Sequence, residues 1–259
     1  MLSIAAMKHA RILILADGEI GEQIVRWALD YDRSLICGLV ILPGSASLAR
    51  LAREFSLPQV IYDKKDIDGT ANQARAIGAN LVLLAWWPLI LKDELLSLGQ
   101  EITLNLHPSL LPHGRGKDPN FWSIVEESPF GVSIHHVNAE VDAGDVAFQR
   151  EIPYSWEDTG ESLYRKATET VVSLFRDSYP RIVSFDIPRH PQAPEKGTSH
   201  KRKELDARSL IELDRHYSAR ALLNLLRART FEPHDACRFV ADGETYEVRV
   251  SIRRKASPS

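Results

Sequence analysis

Short and almost continuously apolar runs alternate with longer amphipathic stretches over the first two thirds of the chain. Runs without a polar face are typical of strands that are buried on both sides, and the stretches between them fit helices covering a parallel sheet. The predicted strands are Arg11–Asp17, Ser34–Leu42, Gln59–Tyr62, Leu81–Trp87 and Ile102–His107. The predicted helices between them are Gly18–Tyr31, Ser45–Phe55, Asp66–Ile77 and Leu89–Leu98. The pattern therefore predicts an α/β core built on a parallel sheet.

The rest of the chain follows other patterns. Gly131–Asn138 and Val146–Tyr154 flank an Asp/Gly-rich turn and predict a strand pair, and apolar residues at helical spacing predict a long helix over Glu161–Ser184. Pro188–His200 is rich in proline and poor in apolar residues, which indicates a linker or an irregular crossing of the chain. The predicted elements after it are a helix over Ser218–Arg229 and a hairpin of Cys237–Ala241 and Thr245–Ile252 around Asp242-Gly243. We expect a domain over residues 1–187, then a linker and a small helix-plus-hairpin module over 188–259.

Composition excludes several classes of protein. The chain has 259 residues, with 32 Lys and Arg against 35 Asp and Glu, so its net charge of −3 provides no general attraction for nucleic acid. The longest apolar runs are far shorter than the ~20 residues of a membrane span, and the N-terminal run is too short for a signal peptide. The two cysteines, Cys37 and Cys237, are distant in sequence and form no CxxC motif, which is typical of a reducing compartment. We expect a cytoplasmic protein without a membrane span.

The densest polar cluster begins with Asn105 and His107, at the end of the last predicted buried strand. The two-residue period of a strand places both side chains on one face, and Pro108 ends the strand directly after them. Ligands of parallel sheets bind at this carboxyl edge. An amide can donate a hydrogen bond to a developing oxyanion, and an imidazole can move a proton. A histidine at a strand end is also common as an ordinary polar residue, so this pair alone leaves both interpretations open.

A second cluster, Val141-Asp142-Ala143-Gly144-Asp145, follows the strand that carries His135 and His136. By itself this segment fits a plain turn between two strands. Asp142 can also orient His107 and favour its protonated form. A metal site is not expected, because no histidine pair is spaced i, i+4 and the neighbouring His135 and His136 face opposite sides of a strand.

Together the two clusters resemble the signature of the folate-dependent formyltransferase family. The segment Asn105-x-His107-Pro108-Ser109-Leu110-Leu111-Pro112, followed by Val141-Asp142-Ala143-Gly144-Asp145, carries the resemblance, which covers about residues 10 to 185. It implies a Rossmann-like parallel sheet with a small C-terminal helix-plus-hairpin module. It also implies that Asn105, His107 and Asp142 form a catalytic trio, with 10-formyltetrahydrofolate as the formyl donor and a primary amine as the acceptor. Leu111–Pro112 is expected to be a cis peptide bond.

The resemblance implies two sets of ligand-binding residues. The donor is expected on the loop after the fourth strand and on the loop that bears the aspartate, at Trp86, Trp87, Leu89, Ile90, Asn138, Val141 and Asp142. One of the two tryptophans also fits core packing at a strand end. The segment after the catalytic strand is expected to bind the acceptor through Arg115, Lys117, Asn120 and Trp122. Trp122 equally fits a core position on a helix that begins at Pro119.

The branch of the family is narrowed by comparison of motifs. Asp17-Gly18-Glu19-Ile20-Gly21 is a poor phosphate cradle because it holds two carboxylates, and it lacks the full spacing of a dinucleotide fingerprint. Residues 200–259 are short for the C-terminal barrel of a tRNA formyltransferase. The segment Arg115-Gly116-Lys117-Asp118-Pro119-Asn120-Phe121-Trp122 is similar to one in formyltransferases of nucleotide-linked 4-amino sugars. That similarity implies a homodimer acting on a dideoxy amino sugar. Within this branch, the length and overall pattern of the chain resemble the GDP-perosamine N-formyltransferases of O-antigen and lipopolysaccharide synthesis.

Other interpretations stay open. The acceptor can be a dTDP-linked 4-amino sugar or methionyl-tRNA, and strong salt dependence of binding would favour the RNA. The same fold can also serve as a non-catalytic module that binds folate or nucleotide sugars. The sequence does not define the nucleotide base, the sugar stereochemistry, the proton-transfer role of His107 or the dimer interface.

Overall fold

The computed structural model describes residues 9–193 and 196–255. Within them, the chain folds into two compact units. The first unit takes the chain up to residue 107, then 134–148 and 171–192, and the second takes 108–133, 149–170 and the chain from residue 193 on. Residues 108–133 and 149–170, which were predicted to belong to the domain over residues 1–187, lie in the second unit. There α5 (Pro119–Glu126) packs on the C-terminal helix α8 (Ala219–Arg229).

The elements that carry the large sheet and its helices follow the predicted alternation. In chain order they are β1 (Ile12–Ala16), α1 (Gly18–Asp32), β2 (Ile36–Ile41), α2 (Ala46–Glu54), β3 (Gln59–Ile61), α3 (Ile67–Ala76), β4 (Leu81–Ala85), α4 (Asp93–Leu96), β5 (Ile102–His107), β7 (Gly131–His136), β8 (Val146–Glu151) and α6 (Gly160–Val183). The sheet has seven strands in the order β3-β2-β1-β4-β5-β7-β8. All four pairings among β1 to β5 are parallel, which confirms the predicted α/β fold.

The core of the first unit lies on the central strands. Every residue of β1 and β4 is buried, as their unbroken apolar sequences predict. Helix α1 approaches β4 so closely that a Cβ at Gly21 would lie 2.8 Å from the carbonyl oxygen of Ala85. Gly21, weighed above as part of a dinucleotide fingerprint, therefore allows the helix to pack on the strand.

The predicted helix over Leu89–Leu98 is wrong at its start. Helix α4 spans only Asp93–Leu96, and Leu89 and Ile90 are exposed at 39% and 67%. The apolar residues after Pro88 belong to a loop that follows β4. Their spacing favoured a helix because exposed apolar loop residues can have the same spacing as a buried helix face.

The second unit contains the remaining elements. They are β6 (Arg115–Gly116), α5, β9 (Ser199–His200), α7 (Arg202–Arg208), α8, β10 (Cys237–Ala241) and β11 (Glu244–Val248). Strands β10 and β11 form the predicted hairpin, with Asp242 and Gly243 both at positive φ, as a type I′ turn requires. The predicted linker ends earlier than expected, because Ser199 and His200 pair in parallel with β6. No helix among the described residues is both long and apolar enough to cross a membrane.

Candidate active site

The first unit brings the three predicted catalytic side chains together at the carboxyl end of β5. Asn105 and His107 lie two residues apart on this strand, as predicted, and His107 is buried. Asp142 comes from the loop between β7 and β8. Its Oδ1 lies 3.4 Å from Nδ2 of Asn105, and its Oδ2 lies 3.7 Å from Nδ1 of His107. The second distance exceeds a hydrogen bond but keeps the carboxylate close enough to stabilise a positive charge on the ring.

The backbone of Asp142 has a conformation that few residues adopt. Its φ is +52°, in the left-handed region, which costs a non-glycine residue of order 1 kcal/mol or more. This conformation turns the carboxylate back toward β5. The predicted turn is therefore present, and it places the carboxylate in the site.

His135 is a fourth member of the cluster, which the sequence reasoning treated only as a rejected metal ligand. Its Nδ1 lies 2.9 Å from the carbonyl oxygen of His136, so Nδ1 must carry the proton and donate it. Nε2 lies 3.1 Å from the amide nitrogen of Asn105, which can donate to it, and 3.5 Å from Oδ1 of Asp142. His135 thereby fixes which way the Asn105 amide faces.

His136 faces away from this cluster. Its Nε2 lies 2.9 Å from the carbonyl oxygen of Pro188, and burial lowers its pKa below the usual 6.5. The ring is therefore neutral near pH 7 and acts as a hydrogen-bond donor to the segment after α6. No group of three or more side chains able to hold a metal ion is found among residues 9–193 and 196–255.

The residues expected to bind the donor divide into two kinds. The ring of Trp87 packs in the core, edge-on to Tyr62 with their centroids 5.6 Å apart, whereas Trp86 adopts a left-handed φ of +60° at the end of β4. The exposed apolar residues Leu89, Ile90 and Val141 lie on the two predicted loops. Asn138 accepts a hydrogen bond from the backbone of Glu140, which shapes the aspartate loop. The core position of Trp87 leaves Trp86 as the tryptophan suited to ligand contact.

The residues expected to bind the acceptor all lie in the second unit. The Asn120 amide donates to the carbonyl oxygen of Gly160. Trp122 is buried and stacks on His200, with ring centroids 3.6 Å apart, and His200 lies between Glu126 and Glu204. The structure thus gives Asn120 and Trp122 packing roles within this unit.

The other two predicted acceptor residues lie on or beside a short strand. Arg115 belongs to β6, and Lys117 follows it and donates its backbone N–H to His200. The preceding Leu111–Pro112 peptide bond is cis, as predicted. Binding of the acceptor by these four side chains stays a prediction.

Comparison with known proteins places this geometry in a family. A formyl transferase model matches residues 52–177, and an N-formyltransferase dimerization C-terminal domain model matches residues 204–254. The fold is similar to that of a sugar N-formyltransferase from a Shewanella species, with a TM-score of 0.77 and 23% identity over 95% of this chain and 99% of that one. A 4-N formyltransferase from Francisella tularensis matches with a TM-score of 0.79 and 20% identity over 95% of this chain and 99% of that one.

A third structure is more similar in sequence. The formyltransferase PseJ from Anoxybacillus kamchatkensis, solved with UDP-4,6-dideoxy-4-formamido-L-AltNAc and tetrahydrofolate, is 28% identical. The match covers 76% of this chain and 88% of that one, with a TM-score of 0.54. With both family models matched and the trio assembled at the end of β5, the chain is a formyl-transferring enzyme that belongs to the formyl transferase family.

Proposed function

We propose that this protein transfers a formyl group from 10-formyltetrahydrofolate to the 4-amino group of a nucleotide-linked dideoxy amino sugar. The observation that carries the proposal is the convergence of Asn105, His107 and Asp142 at the end of β5. The complex of the 28% identical formyltransferase with a UDP-linked 4-formamido sugar and tetrahydrofolate supports this acceptor class and this donor. A GDP-linked sugar such as GDP-perosamine, used in O-antigen synthesis, is our favoured acceptor because of the length and overall pattern of the chain.

The loops beside β5 fit a folate-type donor. They expose Leu89, Ile90 and Val141, apolar side chains suited to the edge of a flat ring, next to a polar cluster. Trp86 and Asp142, one on each of these loops, both have a left-handed φ. When bound, the donor supplies an activated one-carbon group. We assign its binding to Trp86, Leu89, Ile90, Asn138 and Val141.

Each member of the trio has a role that follows from its contacts. The amide of Asn105 has one hydrogen directed to His135 and a second in a longer contact with Asp142. With the amide held by His135, the second hydrogen can be donated to the oxygen of the group in transfer in place of the 3.4 Å contact with Asp142, and so stabilise its developing charge. His107 takes the proton released by the attacking amine and gives it to the departing folate nitrogen, and Asp142, facing Nδ1, stabilises the imidazolium formed in between.

The protein is proposed to act as a cytoplasmic homodimer. The C-terminal module matches a domain that is described as a dimerization domain. Its hairpin exposes 46% of Tyr246, which stacks on Phe239. Cys37 and Cys237 are free thiols, in agreement with a reducing compartment. Sedimentation velocity of Tyr246→Glu should show monomers if this face forms the dimer, and an unchanged dimer would assign the interface elsewhere.

The proposed reaction is tested with a panel of acceptors. The pure protein is incubated with 10-formyltetrahydrofolate and GDP-perosamine, two dTDP-linked 4-amino sugars or methionyl-tRNA, and mass spectrometry detects an added formyl group. We expect a formylated sugar, lost in His107→Ala and retained in the exposed-histidine control His216→Ala. Formylation of the tRNA alone would replace the sugar with RNA as the acceptor. Folate binding without any product would favour the non-catalytic module.

A further inference from the structure

Gln192 binds the loop that carries the catalytic carboxylate. Its side-chain nitrogen donates to the carbonyl oxygen of Asp142 at 2.9 Å and to that of Gly144 at 2.6 Å. We propose that Gln192 is a positioning residue of the formyl-transfer site, which holds Asp142 in its left-handed conformation through these two hydrogen bonds. The effect of Gln192 on catalysis rests on the proposed function. That Gln192 holds the loop rests on the two hydrogen bonds alone.

The need for such a contact follows from the backbone of the loop. Asp142 is not a glycine and has a φ of +52°, so its conformation persists only where the surroundings stabilise it. One amide group can bridge the carbonyls of Asp142 and Gly144 only when both point the same way. The bridge is therefore specific to the conformation that turns the carboxylate toward β5.

The position of Gln192 is fixed by its own segment, residues 188–192, which we call the strap. His190 and Val146 exchange two backbone hydrogen bonds, at 2.8 and 3.0 Å, in an antiparallel bridge at the start of β8. Pro188 accepts a hydrogen bond from His136 at 2.9 Å. These contacts attach the strap to both ends of the aspartate loop.

The chemistry requires an amide at this position. Its two hydrogens match two carbonyl acceptors, and it adds no charge beside the Asp142 carboxylate. A glutamate of the same length would direct oxygen atoms at both carbonyls, and a leucine would leave both without this donor. Gln192→Glu and Gln192→Leu thus remove the bridge in two different ways.

The test combines kinetics with a measurement that needs no reaction. For both variants we expect kcat to fall by roughly 10-fold to 100-fold, the effect of displacing a reacting group by about an ångström. The KM for the acceptor should stay nearly unchanged. The apparent pKa of the pH–rate limb that depends on His107 should differ from that of wild type, and the shift should have the same direction as in Asp142→Asn. The control Arg189→Gln removes only an exposed ion pair of the strap and should keep the wild-type profile.

Hydrogen exchange provides the second readout. Amides of residues 138–145 should exchange faster in Gln192→Leu than in wild type and in Arg189→Gln. Gln192 variants with wild-type kcat, pH–rate profile and loop exchange would overturn the proposal. So would variants with a lower Tm whose His107-dependent limb of the pH–rate profile is unchanged. If the wild-type protein formylates no acceptor, the proposed function fails, and the exchange data still decide whether Gln192 holds the loop.

Discussion

Gly144 lies where a side chain has no room, and this permits a quantitative test of how the aspartate loop is placed. A Cβ at this position would lie 1.8 Å from the carbonyl oxygen of His136 and 2.8 Å from its carbonyl carbon. To reach the 3.0 Å at which real Cβ contacts begin, the loop and β7 must separate by about 1.2 Å. The same carbonyl accepts the hydrogen bond from His135. Gly144→Ala therefore disturbs Asp142 and the His135 ring together.

The expected magnitudes follow from this displacement. Forcing a methyl group against backbone costs about 1–3 kcal/mol of folding free energy. A shift of about 1 Å in a catalytic group lowers kcat by about 10²-fold. Gly144→Ala should thus lose far more activity than the fraction of unfolded protein explains. Urea denaturation measures the stability, and initial rates with saturating donor and acceptor measure kcat.

Two glycines serve as controls. A Cβ at Gly99 would lie 2.4 Å from the carbonyl oxygen of Ile102, so Gly99→Ala meets a similar backbone clash at the end of β5 that is remote from His107. Gly44, at a φ of +90°, has nothing within 4 Å of the added Cβ, so Gly44→Ala introduces backbone strain alone. Both controls should lose stability and keep kcat within about threefold. A kcat of Gly144→Ala in that same range would refute the argument that the close approach of Gly144 places Asp142.

Three further changes test other parts of the structure. His135→Phe removes the acceptor that orients the Asn105 amide, and kcat should fall by at least about tenfold with little change in the KM for the donor, as measured by initial rates. His136→Gln should remove one part of the pH dependence of stability. Because burial lowers the pKa of His136, its contribution to the unfolding free energy is constant above about pH 6.5 and decreases by up to about 1.4 kcal/mol per pH unit below it, until the folded-state pKa is reached. Urea titrations between pH 5 and 8 measure this slope. Trp87→Ala should cost about 3–5 kcal/mol in the same denaturation assay, because its ring fills the core beside Tyr62.

The central sheet could be predicted because its signal is local. Runs such as Ile12–Ala16 and Leu81–Ala85 are apolar throughout, and each residue in them is buried. The predicted strand Ile102–His107 has the observed bounds, since Pro108 ends it. The start of the helix after β4 was predicted wrongly because the exposure of Leu89 and Ile90 depends on tertiary contacts, which the spacing of apolar residues does not reveal.

The site was partly predictable from the same local rules. Alternation along a strand and the position of Pro108 placed Asn105 and His107 at the sheet edge, and the resemblance supplied Asp142. His135 was missed because His136 beside it has the same chemistry, and alternation alone does not say which ring faces β5. The hydrogen bond of His136 to Pro188 settles that orientation, and it joins residues 52 positions apart. Gln192 was missed for the same reason, at a separation of 50 residues from Asp142.

Two strained backbone positions lie at the candidate site. Among the non-glycine residues at positive φ, Trp86 and Asp142 both lie beside the end of β5, one after β4 and one after β7. Each such conformation costs about 1–3 kcal/mol, so neither persists without compensation elsewhere. The buried strands β1 and β4 anchor the first loop, and the close approach of Gly144 and the strap hold the second. The buried sheet, the close approach of Gly144 and the strap thus compensate for the strain of these loops, so the placement of the Asp142 carboxylate depends on contacts beyond its own residue.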